Sequence, residues 1–324
     1  MNTRKRGNGG DGVVSMTMRS LVFKIAIGLC FAPNCFAQLY SPELATDTDI
    51  LHSIRRSTVS IGLHAKEGEV THFVTVGSAV IVSLDGGHNC LLSAKHVFSN
   101  PEIGYTPTQV FVRLPKDEPQ AKEDLGLPLT LYGPRGDPLW MGAADGADLA
   151  VSPMPNTLGA KDVHSIPITD FGDADDLFQG STVVVLGYAE LLGPDYQTTP
   201  IARNGIVAWT NPEGPLDHTF LVDANVFSGN SGGPVFHLPT GMNRKGQIGG
   251  GGRIHLIGIV SKDAYEEAPI HAGSSPATSL DQATGKMIPF TAKVLNIGGI
   301  GIIEPVSKAK KLVMDFLAPH TPHI

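Results

Sequence analysis

Apolar and polar positions change over in short runs along most of this chain, and sustained helical periodicity is rare. Runs rich in β-branched residues occupy 58–63, 73–83, 89–93 and 109–114, set off by glycine and polar residues. A second series follows at 181–188, 201–209, 219–222, 234–237, 255–261 and 299–303. Two shorter apolar stretches, 129–132 and 148–152, stand between them. Each run predicts a strand. Helical spacing predicts a short helix over 42–54 and another over 307–317, where Ala309, Leu312, Val313 and Phe316 share a face and Pro319 stops the helix. Many short strands with one closing helix predict an all-β barrel or sandwich, divided most simply into two barrel-like halves.

The first residues carry a different pattern. Arg4, Lys5, Arg6 and Arg19 precede a twelve-residue apolar run, 21–32, which ends at Pro33. Cys35-Phe36-Ala37 before Gln38 offers a small-residue cleavage site, so 1–37 reads as a secretory signal peptide, with Met16 or Met18 as alternative starts. The run is short and contains Lys24, which argues against a stable membrane span. The expectation is an exported protein, periplasmic or secreted, with no stable membrane anchor after cleavage.

Composition sharpens this picture. The 324 residues include 38 Gly and 24 Pro, which favours turn-linked strands over long helices. Loss of the signal removes five basic residues and one acid, and takes the net charge from −7 to −11. That acidity excludes a nucleic-acid binder held by phosphate contacts. Of the three cysteines, Cys30 and Cys35 leave with the signal. Cys90 then has no partner for an internal disulfide, and reads as a small buried hydrophobe.

Three motifs carry candidate chemistry, in the order His, Asp, Ser. Ser93-Ala94-Lys95-His96 ends an apolar strand, Ala147-Asp148-Leu149-Ala150 opens another, and Gly229-Asn230-Ser231-Gly232-Gly233-Pro234 forms a glycine-flanked turn. A serine hydroxyl needs an adjacent base to act as a nucleophile at neutral pH, and histidine supplies one. A carboxylate orients the histidine and stabilises its protonated form. Asp145, three residues before Asp148, is the competing carboxylate. Glycines around Ser231 let the Gly229 and Ser231 amides converge on a developing oxyanion.

These motifs resemble the trypsin-like, chymotrypsin-fold serine peptidases, and most closely the bacterial HtrA/Deg-type protease domain. Gly77-Ser78-Ala79-Val80-Ile81-Val82, Gly187 after Val183-Val184-Val185-Leu186, Val222-Asp223-Ala224, Ile257-Gly258-Ile259-Val260-Ser261 and Gly299-Ile300-Gly301 with Pro305 add to the resemblance. It spans residues 57–317 and leaves no stretch for an appended peptide-binding (PDZ) domain. It implies two six-stranded antiparallel β-barrels with a C-terminal helix. The implied division is a signal peptide at 1–37, an N-terminal segment at 38–56, barrels at 57–165 and 166–303, and a helix and tail at 304–324. It also implies catalytic roles for His96, Asp148 and Ser231, an oxyanion hole from Gly229 and Ser231, and no cofactor. Substrate-binding roles fall to Asn225, Ser261 and Asp263. Asn225 is neutral, which points away from basic side chains beside the scissile bond and toward small or medium apolar ones.

Two residues depart from the pattern. Asn230 stands where digestive relatives place an aspartate that pairs with a freed N-terminus, so activity without zymogen cleavage is expected. Lys95 precedes the histidine in place of a small residue or an amide. Residues 115–142, 246–252 and 264–289 read as insertions framing the cleft, either solvated loops or lids. His237 and His255 flank the glycine-rich stretch without metal-ligand spacing. The expected function is an exported serine endopeptidase acting on protein or peptide through an acyl-enzyme. The alternative is a protease-fold binding or chaperone-like protein with a latent triad.

Overall fold

The computed structural model describes residues 52–84, 88–116, 124–155, 164–172, 178–188, 198–211, 218–242, 248–250, 252–263 and 299–317, with short segments between 265 and 295. The signal-peptide stretch and residues 42–51 of the expected N-terminal helix lie outside the described residues; 52–56 are helical. Among the described residues, no helix is long and apolar enough to cross a membrane.

The N-terminal half is built on β1 (Thr58–Glu67) and β2 (Val70–Ser83), a hairpin whose tight turn includes Gly68 at φ 64°. Six further strands follow: β3 (Asn89–Ser93), β4 (Gln109–Arg113), β5 (Leu127–Thr130), β6 (Met141–Gly142), β7 (Ala150–Pro153) and β8 (Ile166–Pro167). They pair in the order β5-β4-β1-β2-β3-β7-β6, with β8 parallel to β2. This path does not close among the described residues, whereas a six-stranded barrel was expected.

The second half does close. Strands β9 (Thr182–Gly187), β10 (Ile201–Trp209), β11 (Phe220–Asp223) and β12 (Pro234–His237) join His255–Asp263 and Ile300–Pro305 in a six-stranded barrel. Residues 264–289 read in sequence as a polar, loop-like insertion, a solvated loop or a lid. Their backbone instead contains ladders, Tyr265–Pro269 against Thr291–Leu295 and Thr278–Leu280 against Met287–Pro289. Within the glycine-rich stretch, Ile248–Gly250 likewise pairs with Thr240–Met242. None of these strands has a clean apolar alternation, which is why pattern reading passes over them.

Period-two alternation explains how the sheets share their cores. On β2, Ala79 and Ile81 face the N-terminal core with Val59, Ile61, Leu91 and Val112. Val80 and Val82 point the other way, joining Leu92, Leu186, Phe236 and Ile259 between the two sheets. The C-terminal helix, Val306–Leu317, lays Ala309, Leu312, Val313 and Leu317 onto that shared core. Fully burying each leucine or valine there contributes about 1.5–3 kcal/mol. Phe316, expected on the same face, is only partly buried. The crossover between the halves runs past Phe171, which bridges Leu256, and the Gly172 N–H donates to the Leu256 carbonyl at 2.8 Å.

Candidate active site

His96 is delivered by the end of β3. Ala94 is still extended (φ −72°, ψ 142°), and the chain then turns into a short helical segment, Lys95–Phe98. The Lys95 and His96 backbone N–H groups at the start of this turn both face residue 148. Lys95 donates to the Asp148 carbonyl at 3.3 Å, and His96 to Asp148 Oδ1 at 3.1 Å. The ring follows, with Nδ1 2.7 Å from Asp148 Oδ2. Opposite an ionised carboxylate Nδ1 carries the proton, which leaves Nε2 with a lone pair for a substrate-side proton.

Asp148 is held from three further directions. Its turn is shaped by Gly146 at φ 83° and by the Ala147 N–H, which donates to Asp145 Oδ1 at 3.1 Å. The Ser261 hydroxyl donates to Asp148 Oδ2 at 2.7 Å, and Glu304 Oε1 accepts the Asp148 backbone N–H at 3.0 Å. Burial pushes the Asp148 carboxyl upward, but the hydrogen bond and charge of His96 and the Ser261 hydroxyl outweigh it and hold the group below its ordinary range. Asp145, the competing carboxylate, turns away and pairs with Lys308 at 3.0 Å.

Ser261 reaches Asp148 because its strand is bulged. Val260 pairs with Ile303 and Lys262 with the adjacent Ile302, so Ser261 falls out of the ladder. Bulges re-aim side chains in this way. Sequence reading placed Ser261 on the substrate pocket and missed its bond to the carboxylate. It also missed Glu304, whose one sequence signal is a lone acid in the apolar strand Ile300–Pro305.

The Ser231 turn is docked between the two sheets. Ser231 presents its carbonyl to the Ser78 N–H at 2.7 Å, and the Gly232 N–H donates to the Val260 carbonyl at 2.7 Å. Ser78 Oγ donates to the Gly229 carbonyl at 2.8 Å and accepts the Tyr188 N–H at 2.9 Å. Gly232 sits at φ 82°, and a Cβ there would lie 2.1 Å from Ser78 O and Ser93 Oγ. The serine turn thus packs directly on the strand end that carries His96. Among the described residues, the hydrogen bonds of His96 run to Asp148, and no bond joins its ring to the Ser231 hydroxyl. Nucleophile–base contacts are commonly long without substrate and tighten when it binds. The Gly229 and Ser231 amide N–H groups likewise donate to no acceptor among the described residues.

The remaining candidates are spread around this centre. Asn230 is fully buried, its amide against Gly187 and without a hydrogen-bond partner. An uncharged amide needs no ammonium there, whereas a buried carboxylate would. Asn225 is exposed and left-handed at φ 49°, beside Gly299, whose carbonyl accepts the Val226 N–H at 3.1 Å. Asp263 ends its strand, and its side chain lies outside the described residues. Lys95 is exposed and runs its aliphatic stem past Gly142, so it points away from the core. Cys90 is buried, and burial pushes its thiol up to about 12. No cluster of metal-ligating side chains occurs among the described residues.

A family profile describing a trypsin-like peptidase domain matches residues 77–242, just over half of the chain and a span that includes His96, Asp148 and Ser231. No curated protein sequence matches the chain. Among solved structures, the serine endoprotease from Yersinia pestis is similar at a TM-score of 0.44 and 19% identity, over 84% of this chain and 67% of that one. The chain belongs to the trypsin-like peptidase family.

Proposed function

We propose that this trypsin-like peptidase is an exported serine endopeptidase that cleaves proteins or peptides through a Ser231–His96–Asp148 triad and an acyl-enzyme. The observation that carries this reading is the chain of contacts from Ser261 through Asp148 Oδ2 to His96 Nδ1, both at 2.7 Å, beside the docked Ser231 turn. Nε2 of His96 takes the Ser231 proton as Oγ bonds to the substrate carbonyl carbon, whose oxygen moves toward the Gly229 and Ser231 amides. Collapse of that intermediate breaks the C–N bond, and the proton on Nε2 leaves with the amine. Water then attacks the ester by the same proton path in reverse, releasing the acid and restoring Ser231. Each oxyanion donor is worth about 10²–10³ in rate. The neutral Asn225 supports small or medium apolar side chains at the cleaved residue, and the uncharged, buried Asn230 supports activity without prior trimming.

The test is covalent labelling of folded protein by a fluorophosphonate, with Ser231→Ala as control. Labelling of the wild type alone supports the triad. A folded wild type that does not label refutes it and favours the latent, binding-only alternative. Export is tested by N-terminal sequencing of the mature protein, expected to begin at Gln38.

A further inference from the structure

Behind the triad lies a second carboxyl that the reaction as written does not use. Glu304 is 6% exposed, at the end of the last barrel strand and one residue before Pro305. The paired strand sets the apolar Ile259 opposite it. Its Oε1 accepts the Asp148 N–H at 3.0 Å, while Oε2 is buried with no hydrogen-bond partner. A strand position in an apolar core costs an acidic side chain several kcal/mol if it must ionise without compensation. What it gains here is a grip on the backbone of the residue that orients His96.

The charges around Glu304 come from each element packed on it. Asp148 and Asp145 approach from the turn before β7, Lys308 from the first turn of the C-terminal helix, and His96 stands beyond Asp148 at the far end of the same chain of contacts. Burial pushes the Glu304 carboxyl above its ordinary value; the Asp148 N–H and Lys308 oppose this, and the Asp148 and Asp145 charges add to it.

We propose that Glu304 is a positioning residue: its buried carboxyl holds Asp148 against His96, and gain or loss of a proton at that carboxyl adjusts the rate of the peptidase. The acceptor Oε1 serves Asp148 in either state, so the geometry is kept as the charge changes. When Glu304 ionises, a second negative charge stands behind the Asp148–His96 pair and favours the imidazolium that forms as Ser231 gives up its proton. The rate therefore rises as Glu304 loses its proton, as a step separate from the titration of the histidine. This inference rests on the triad reading and adds a residue to it.

Three variants test it in the full chain. Glu304→Leu removes the acceptor and lowers kcat by about 10- to 100-fold with little change in KM, the scale expected when a catalytic group is displaced by an ångström or less. Glu304→Gln keeps an acceptor and restores most of kcat, but its kcat–pH profile lacks the extra step. Lys308→Met removes a charge that favours ionised Glu304, and moves the step to higher pH. Fluorophosphonate labelling of the wild type comes first, because failure there overturns the triad reading itself. With labelling intact, identical kcat–pH profiles for wild type, Glu304→Gln and Lys308→Met overturn the Glu304 proposal alone. Glu304→Gln as slow as Glu304→Leu at every pH overturns it too. If Glu304→Leu does not fold, the profiles of the other two decide.

Discussion

Ser78 is a residue through which the two halves hold the Ser231 turn, and its replacement by alanine is the sharpest test of that packing. The side chain is fully buried, and its one oxygen serves two buried backbone groups, the Gly229 carbonyl at 2.8 Å and the Tyr188 N–H at 2.9 Å. Ser78→Ala leaves both without a partner at a cost of about 1–3 kcal/mol each. Partial relaxation brings the total to about 2–4 kcal/mol, which lowers the melting temperature by about 4–16 °C for a chain of this size. Ser152→Ala is the control, since Ser152 is equally buried but makes one long bond, 3.3 Å to the Pro153 carbonyl. It should cost about 1 kcal/mol. Urea unfolding followed by the fluorescence of Trp140 and Trp209 measures both. Loosening the Gly229 peptide should also slow fluorophosphonate labelling of Ser231 by about tenfold or more. If Ser78→Ala unfolds at the same urea concentration as Ser152→Ala and labels at the wild-type rate, the idea that Ser78 clamps the turn is wrong.

Two further outcomes follow from the same contacts. Gly232→Ala would place a Cβ 2.1 Å from Ser78 O at φ 82°, so it should cost more than about 3 kcal/mol and abolish labelling; near-normal expression and stability would contradict the packing described. Ser261→Ala removes a donor to Asp148 and should raise that carboxyl toward its ordinary value. Asp148 is depressed in the folded state, so the stability it contributes is present above the unfolded value and lost as pH falls through the folded one. The variant should therefore be less stable than wild type by about 1–2 kcal/mol near neutral pH, with the gap closing in strong acid. A gap independent of pH would show that Ser261 acts by packing alone.

Much of this site is legible locally. The Gly-Asn-Ser-Gly-Gly turn before an apolar run, a histidine just past a strand and a carboxylate at the mouth of another each need only a few neighbouring residues to be read. The choice between Asp145 and Asp148 does not lie in those neighbours. Both sit in one turn, and it is the register of β3 against β7 that brings the His96 amide and ring to Asp148. Lys308, far along the chain, takes Asp145 instead. Likewise Ser261 and Lys262 look like ordinary strand residues until the bulge turns the serine toward the carboxylate.

The sequence by itself determined the strand-rich class, the closing helix and the order of the His, Asp and Ser motifs, because periodicity, turn glycines and caps are properties of short windows. Tertiary structure decided the closed second barrel beside a first sheet that does not close among the described residues, the sharing of Asp148 between His96 and Ser261, and the placing of Glu304 behind them. Those depend on pairings between strands distant in sequence, such as Phe220 with Ile303, and on hydrogen bonds that span 113 and 156 residues, whose register and bulges no short window encodes.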